Sequence, residues 1–336
     1  MVCIGIAVFG LVSSTAVASA SASITEAGSS LVYPLVSVWA SHYSGVSPAA
    51  GGSGHGIQLI QEGAVDIGAS DAPMTPVQYT GDHFGTPVQI PWALTGTGVG
   101  YNIHGVGYGL RLTGSILAKI YTGKITTWGN GAITRINKHY AKALRRAGRI
   151  TPVYRSDGSG DTYVFQHFLT KAGHGNWHAG YATAWGGSTG VGENGNAGVA
   201  GEVRSNRGTI GYISAAYLIQ QHLKVAQIQN ARGKYEYPNA SNIADAAKSN
   251  SHITGQGPNF TGVSIVYPSR RYKTAYPIST YSYAIVNRND SKLGQVQAFL
   301  TWVLSSSGGQ RYGGNLDFLP LPSDIRSADE GLVSGL

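Results

Sequence analysis

The sequence predicts an α/β fold in two lobes, and three observations lead to this prediction. Apolar strand-like runs alternate with helical patterns along most of the chain, as is typical of α/β proteins. A chain of 336 residues is long enough for two lobes, each with its own core. Two segments, residues 88–101 and 276–286, have the apolar pattern of strands that cross between lobes.

The first predicted elements belong to lobe one. A short strand that starts near residue 23 runs into the glycine at 28, and a helix follows at residues 31–44, where Pro34 is tolerated in the first turn. A short helix at residues 57–62 and a buried strand at residues 65–70 come next. Residues 88–101 then hold two apolar runs that are split by glycines.

The later elements continue the alternation of strands and helices. Amphipathic helices are predicted at residues 110–121 and 134–147, and a glycine-rich loop begins at residue 177. The other predicted elements, in order, are a strand at 150–154, a helix from 163 to about 171, a helical stretch at 198–206, a strand at 208–213, a helix at 215–222, mixed short pieces at 224–275, a strand at 276–286 and a closing helix at 292–306.

Composition and charge point to an exported protein that meets anionic partners. Charged residues make up only 12% of the chain, Gly is abundant, and Tyr far exceeds Phe, while the net charge of +8 attracts anions. The clearest basic cluster has few aromatic neighbours and no recognisable reading element, so we interpret it as a solvated face rather than a nucleic-acid footprint. Its members are Lys138, His139, Lys142, Arg145, Arg146 and Arg149.

Residues 1–22 are interpreted as a signal peptide. The apolar opening run is too short to span a bilayer, and small residues at 18, 20 and 22 fit a cleavage site near Ala20 or Ala22. The usual positive start of such a segment is missing, because no Lys or Arg precedes Arg111. The alternative is a buried N-terminal strand. Cleavage would remove Cys3, and the mature chain would then have no disulfide and no thiolate metal site.

The turn at residues 155–162 has the geometry of an anion site. It follows a predicted strand and precedes a predicted helix, whose first N–H groups have no partner within the helix and lie at the positive end of its dipole. Gly158 and Gly160 allow close approach of the backbone, Ser159 adds a hydroxyl, and Arg155 adds a planar charged fork.

Three further turns at residues 28–31, 52–54 and 70–71 combine glycines or hydroxyl groups with a helix start or a strand end. One such turn is common in proteins. Four of them, together with one arginine and one acceptor carboxylate, predict a small anion that is bound by backbone N–H groups.

Catalysis by a serine nucleophile is the main rival to anion binding. Neither Ser159 nor Ser53 has the flanking glycines of a nucleophile elbow, although a pair of Ser53 with His55 stays an alternative. The phosphate-loop signature is absent, since Gly123-Lys124 is followed by Ile125, and no complete dinucleotide fingerprint or metal-ligand spacing is found. The sequence therefore predicts no catalytic residue, no metal site and no cofactor.

Seven motifs resemble, in order, the substrate-binding protein of phosphate-specific ABC transporters, and they extend over nearly the whole mature chain. They begin at Glu26-Ala-Gly-Ser-Ser-Leu31, and the others occupy residues 65–73, 89–91, 112–128, 155–160, 195–200 and 208–212. The resemblance implies a two-lobed periplasmic-binding-protein fold of type II, in which each lobe is a mixed sheet flanked by helices, with a hinged cleft. It also implies a monomeric extracytoplasmic receptor, not an enzyme, that delivers inorganic phosphate to a membrane ABC permease.

The resemblance also implies lobe boundaries and a set of ligand-binding residues. Lobe one would comprise residues 24–98 plus 281–336, and lobe two residues 99–280, with hinge crossings near 98–102 and 278–284. The implied phosphate ligands are Ser30, Leu31 through its backbone N–H, Ser53, Asp71 as an acceptor, Arg155 as a clamp, and Ser159 and Gly160 as donors, with Asp157 orienting Arg155.

Asp161 departs from the family pattern, because threonine is frequent at its position. The change replaces a donor with an acceptor, and we expect Asp161 to contact the ligand and to favour the doubly protonated monoanion. The alternative is that it occupies a favourable position in the first helical turn and points away. Two other functions stay open as alternatives: a receptor on the same fold for another oxyanion such as arsenate, and a secreted phosphate-ester hydrolase.

Overall fold

A long mixed sheet runs through both lobes of the computed structural model, which describes residues 23–81, 85–250 and 264–336. The predicted signal peptide lies outside the described residues. The strands are β1 (Ile24–Gly28), β2 (Val46–Ala50), β3 (Ile67–Ser70), β4 (Pro87–Tyr101), β5 (Arg111–Leu112), β6 (Thr151–Arg155), β7 (Val191–Glu193), β8 (Thr209–Ser214), β9 (Lys224–Val225), β10 (Gln227–Gln229), β11 (Tyr235–Glu236) and β12 (Ser279–Asn287).

Helices alternate with strands along the chain, as the α/β pattern of the sequence predicts. They are α1 (Tyr33–His42), α2 (Ser53–Gln61), α3 (Pro76–Thr80), α4 (Gly114–Tyr121), α5 (Gly131–Ile136), α6 (Ala141–Arg146), α7 (Gly160–Ala172), α8 (Gly195–Ser205), α9 (Ala215–Gln220), α10 (Ala240–Ala247), α11 (Leu293–Leu304) and α12 (Ser323–Ser334). Short 3₁₀ turns occur at Lys138–Tyr140, Gly309–Arg311 and Gly314–Leu316.

Strand β4 connects the two lobes. The order of the main sheet is β2-β1-β3-β12-β4-β8-β6-β7, with β9 also paired to β4. The first part of β4, up to Gly96, pairs antiparallel with β12, and the part from Thr97 onward pairs antiparallel with β8. All 15 residues of β4 are buried. One continuous strand therefore enters the sheets of both lobes, where the sequence indicated two runs split by glycines.

The closing segment of the chain packs on lobe one. The Trp39 indole N–H of α1 donates a hydrogen bond of 2.8 Å to the Gly309 carbonyl, and the Gln297 amide of α11 donates one of 2.8 Å to the Val333 carbonyl of α12. Helix α12 has no counterpart among the predicted elements. Its Ile325 and Val333 are buried, because they cover the lobe-one core beside α11.

Three other predicted elements are wrong in detail. The predicted helix at residues 134–147 is broken into α5, a 3₁₀ turn and α6, because the Asn137 side chain bonds the backbone of Arg111 and interrupts the helix. The predicted glycine-rich loop contains β7, and α8 starts at Gly195. Helix α2 begins at Ser53, four residues before the predicted start.

A small second sheet extends lobe two, with the strand order β11-β10-β5. None of the described helices is long and apolar enough to cross a membrane.

Candidate functional site

The lobe-one half of the site lies where β1 and β3 end side by side. The two strands are parallel neighbours, so their carboxyl ends meet at one edge of the sheet, where ligands bind in open α/β folds. Gly28 adopts φ = 144°, and a Cβ at this position would clash with the backbone of Ala69. Glycine is therefore required where the chain turns from β1 toward α1.

Ser29 ties this turn to the acceptor carboxylate. Its hydroxyl donates to Asp71 and accepts from the N–H of Leu31 at 3.1 Å and of Val32 at 3.4 Å. The sequence assigned roles to Ser30 and Leu31, but it missed Ser29. The Leu31 N–H, which was expected to face the ligand, is bonded to Ser29 in this structure.

Asp71 is the centre of the lobe-one half. Its side chain is 1% exposed and follows directly after β3. Ser53, in the first turn of α2, donates to Asp71 Oδ2 at 3.2 Å and accepts from the Asp71 N–H at 3.0 Å. The other oxygen, Oδ1, is buried without a hydrogen-bond partner among the described residues. Such an oxygen is costly to bury, and a ligand that donates a proton would satisfy it.

Burial raises the pKa of Asp71 to about 7, and the negative charge of Asp161 adds to the increase. Near neutral pH this carboxyl group therefore changes easily between the protonated and the ionised form. It can accept a proton from a ligand or share one with it.

The lobe-two half is built around the buried guanidinium of Arg155, at the end of β6. Its Nε donates to Asp157 Oδ1 at 2.7 Å, its Nη2 pairs with the other oxygen of Asp157, and its Nη1 lies 3.2 Å from Asp161 Oδ2. Burial alone would raise the pKa of Asp157, but the hydrogen bonds and charge of Arg155 hold that pKa below its ordinary value. Asp157 thus lies where the sequence expected an orienting partner of Arg155.

Ser159 and Gly160 form the start of α7. The Ser159 hydroxyl caps the helix by accepting from the Thr162 N–H at 3.3 Å. The first N–H groups of the helix have no acceptor within it and lie at its positive end. A Cβ at Gly160 would lie 2.5 Å from Ser53 Oγ and still closer to Asp71 Oδ2, so α7 of lobe two begins directly against the lobe-one carboxylate.

Asp161 points into the site, and its carboxylate is 1% exposed. Thr97 of β4 donates to Oδ1 at 2.6 Å, and the Asn196 amide donates to Oδ2 at 2.6 Å. Burial raises the pKa of Asp161 above its ordinary value. The charge of Arg155 and these two hydrogen bonds act in the opposite direction, but burial outweighs them. The side chain does not point away from the cleft, but its contact with a ligand stays a prediction.

Asn196 links the two lobes at the site, although no role was expected for it from the sequence. Its amide N–H₂ donates to Ser30 Oγ at 3.1 Å as well as to Asp161, and its Oδ1 accepts from the Ser214 N–H at 2.7 Å. Asn196 lies in the motif at residues 195–200. That motif pointed to this part of the chain, but it did not indicate what Asn196 does. Thr97 carried no such signal, because it lies inside an apolar strand.

The lobes are closed over this site. The Gly54 N–H of lobe one donates to the Gly158 carbonyl of lobe two at 2.8 Å. The structure brings together all of the predicted site residues, which are Ser30, Leu31, Ser53, Asp71, Arg155, Asp157, Ser159, Gly160 and Asp161.

The arrangement is suited to anion binding, and it does not pair Ser53 with His55 as the sequence alternative required. The Ser53 hydroxyl is bonded to Asp71, while His55 is exposed. No group of three or more His, Cys, Asp or Glu side chains within residues 23–81, 85–250 and 264–336 could hold a metal ion.

Comparison with known proteins gives a consistent set of relatives. A family model described as a PBP superfamily domain matches residues 13–307. The phosphate-binding protein PstS of Xylella fastidiosa (strain 9a5c) is 33% identical over 320 residues, which cover 91% of this chain and 83% of that protein. The phosphate-binding protein PstS of Haemophilus influenzae is 32% identical, with coverage of 91% and 90%.

A solved structure supports the fold. The high-affinity periplasmic phosphate-binding protein PfluDING superposes with a TM-score of 0.74 at 21% identity, over 92% of this chain and 93% of that one. The two-lobed fold that the sequence motifs implied is therefore confirmed.

Proposed function

Because this chain belongs to the PBP superfamily and, within it, to the family of phosphate-binding proteins PstS, we propose that it binds inorganic phosphate in its cleft and delivers it to an ABC permease. It acts outside the cytoplasm, as a monomer and without catalysis. The phosphate ligands are Ser30, Leu31, Ser53, Asp71, Arg155, Ser159, Gly160 and Asp161.

The observation that carries this proposal is the unsatisfied oxygen Oδ1 of Asp71. Phosphate near neutral pH carries at least one O–H group, which can donate to this oxygen. Sulfate carries none, so its oxygens would face a buried carboxylate without a proton between them. A site that leaves a buried polar group unpaired can reject an analogue by about 10⁴-fold or more.

The attraction for the anion comes from the start of α7 and from Arg155. Helix α7 starts beside Asp71 with the positive end of its dipole, and the Arg155 guanidinium adds a positive charge next to Asp161. Hydrogen bonds that involve a charged group contribute about 1.5–3 kcal/mol each. Several of them offset the entropic cost of association.

Asp161 sets the protonation state of the ligand. Asp157 and Asp161 both contact the Arg155 guanidinium, and the charge of Asp161 also acts on the nearby carboxyl group of Asp71. A ligand with two protons can donate to both Asp71 and Asp161, whereas a dianion would add charge to an acidic site. The monoanion H₂PO₄⁻ is therefore the preferred form.

Calorimetric titration with phosphate, arsenate and sulfate tests the proposal. We expect binding of one equivalent of phosphate and no response to sulfate, and arsenate is the alternative ligand because it also carries protons. A response to sulfate without a response to phosphate would overturn the proposal. The hydrolase alternative requires release of phosphate from p-nitrophenyl phosphate by the purified protein, and we expect none.

A further inference from the structure

A basic pocket in lobe two lies apart from the phosphate cleft. It is a cavity of about 560 Å³, between the small sheet β11-β10-β5 and the junction of α5 with the following 3₁₀ turn. It shares no residue with the cleft. Its lining includes Tyr108, Arg111, Arg135, Lys138, Tyr140 and Tyr235.

The walls of this pocket are tied together by hydrogen bonds. The Arg111 N–H donates to Asn137 Oδ1 at 2.8 Å, and the Asn137 amide donates to the Arg111 carbonyl at 2.9 Å. The Tyr140 hydroxyl donates to the Tyr108 carbonyl at 2.8 Å. These bonds join residues 108–111 to residues 135–140, and the pairing of β10 with β5 adds the third segment of the pocket, so its shape does not depend on exposed side chains alone.

The charge of the pocket is uncompensated. Arg111, Arg135 and Lys138 are fixed cations, His139 lies beside them, and the pocket has no carboxylate among its described lining residues. No ion pair is formed by these side chains within the described ranges of the chain. Glu236, next to the lining residue Tyr235, instead accepts from the Asn242 amide at 3.2 Å.

Tyrosine rings form the second part of the lining. The Arg111 guanidinium lies 5.3 Å from the centre of the Tyr235 ring, which holds the planar fork of the arginine in place. Tyr108 is 62% exposed at the rim. The volume lies within the range of about 300–1,000 Å³ that is typical of small-molecule sites, and it is far larger than a single orthophosphate ion requires.

We propose that this pocket is a second anion site, which binds an oligophosphate chain: a condensed phosphate or the phosphates of a nucleoside diphosphate. Two arginine forks and a lysine match several linked phosphate groups better than they match one ion. The tyrosines offer a surface for a ring attached to that chain. The proposal does not depend on the function of the cleft.

The test is a calorimetric titration of tripolyphosphate and of ADP into the full protein, without divalent cations and with the cleft first loaded by a slight excess of inorganic phosphate. We expect one equivalent of tripolyphosphate to bind, with an affinity that falls as salt is added. If ADP binds more tightly than tripolyphosphate, the tyrosines contact the ring of the nucleotide base. If tripolyphosphate binds more tightly, the pocket recognises the phosphate chain alone. Failure of both compounds to bind overturns the proposal.

Substitutions separate this site from the general positive charge of the protein. Arg111→Gln together with Arg135→Gln should weaken tripolyphosphate binding by about 100-fold, and Lys138→Gln alone by several-fold. Arg146→Gln, which removes an exposed cation outside the pocket, should leave it unchanged. Unchanged phosphate binding in the cleft shows that each variant is folded. An equal effect of Arg146→Gln and of the pocket variants would contradict the proposal.

Discussion

Gly160 of lobe two lies directly against the carboxylate of Asp71 of lobe one, so that a single added carbon atom would overlap it. Gly160 is the first residue of α7, and Asp71 directly follows β3. Because these elements belong to different lobes, the two residues meet only when the lobes are closed. The contact defines how closely the two halves of the site approach each other.

Gly160→Ala should therefore hinder closure. The methyl group would meet Asp71 and Ser53 in the closed form, and overpacking of this kind costs about 1–3 kcal/mol. We expect phosphate affinity to fall by about 10- to 100-fold, while the stability of the separate lobes changes little. Calorimetric titration and thermal unfolding without phosphate measure the two effects.

Gly201→Ala is the matched control, because a Cβ at this position in α8 meets nothing within 4 Å. This change should stabilise the helix by about 0.5–1 kcal/mol and leave phosphate binding unaltered. If Gly160→Ala binds phosphate as tightly as the wild type, the closed arrangement of the lobes in this structure is not the one that binds phosphate.

Asp71→Asn should weaken the discrimination against sulfate. The amide removes the buried negative charge and can donate to a sulfate oxygen, whereas the carboxylate can only repel it. We expect the ratio of phosphate to sulfate affinity to fall by about 100-fold or more. Competition of sulfate against phosphate in an equilibrium-binding assay measures this ratio.

Asp66→Asn serves as the control for Asp71→Asn. Asp66 bonds Thr25 and lies 3.0 Å from Lys292, within lobe one and outside the site. Its loss should lower stability without changing the ratio of affinities. An Asp71→Asn protein that still rejects sulfate as strongly as the wild type would assign selectivity to other residues.

The affinity for total phosphate should depend on pH through Asp161. As the pH rises toward 8 the ligand loses a proton, and Asp71, whose pKa burial raises to about 7, becomes ionised beside Asp161, whose pKa burial also raises. Both changes add negative charge to the same space, so affinity should fall as the pH rises through about 7. Asp161→Thr restores a donor and should flatten this dependence.

Asp161→Asn separates the charge from the shape of the side chain. It keeps the size of Asp161 and removes its charge, so it should behave like Asp161→Thr in its pH profile. Identical profiles for the wild type and both variants, measured by titration at each pH, would mean that Asp161 does not select the protonation state of the ligand.

The residues of the site were more predictable than the contacts among them. Arg155, Asp157, Ser159 and Gly160 lie within one stretch of six residues, and a glycine-rich turn before a helix start has a local geometry that the sequence specifies. Two of the partners of Asp161, Thr97 and Asn196, lie 64 and 35 residues away. Such pairs arise from tertiary packing and leave no local pattern.

The same distinction between local pattern and tertiary contact explains the errors in the predicted fold. The apolar alternation predicted nearly every strand and helix that positions the site. The helix predicted at residues 134–147 failed because Asn137 bonds Arg111, 26 residues earlier, and this contact outweighs local helix propensity. The basic pocket was hidden for the same reason, since Tyr108 and Tyr235 join the basic cluster only in the folded chain.

Glu26 should make the free energy of unfolding decrease as the pH rises. It is buried in β1, its Oε2 has no hydrogen-bond partner among the described residues, and burial raises its pKa to about 8, against a hydrogen bond from the backbone of Ala49. In the unfolded chain the same group ionises near its ordinary pKa of about 4.3. The folded state thus binds the extra proton between these values, and stability is lost as the pH rises from about 4.5 to 8.

Glu26→Gln removes this proton while it keeps the shape of the side chain and an acceptor for the Ala49 N–H. Between pH 5 and pH 8 the free energy of unfolding of the wild type should fall by on the order of a few kcal/mol more than that of the variant. Denaturant unfolding without phosphate measures this difference. Glu62→Gln, at an exposed position of the same lobe, should follow the wild type. If the Glu26→Gln and wild-type curves stay parallel across this range, Glu26 is already ionised in the folded protein, and the buried charge must be balanced by a group that donates to it.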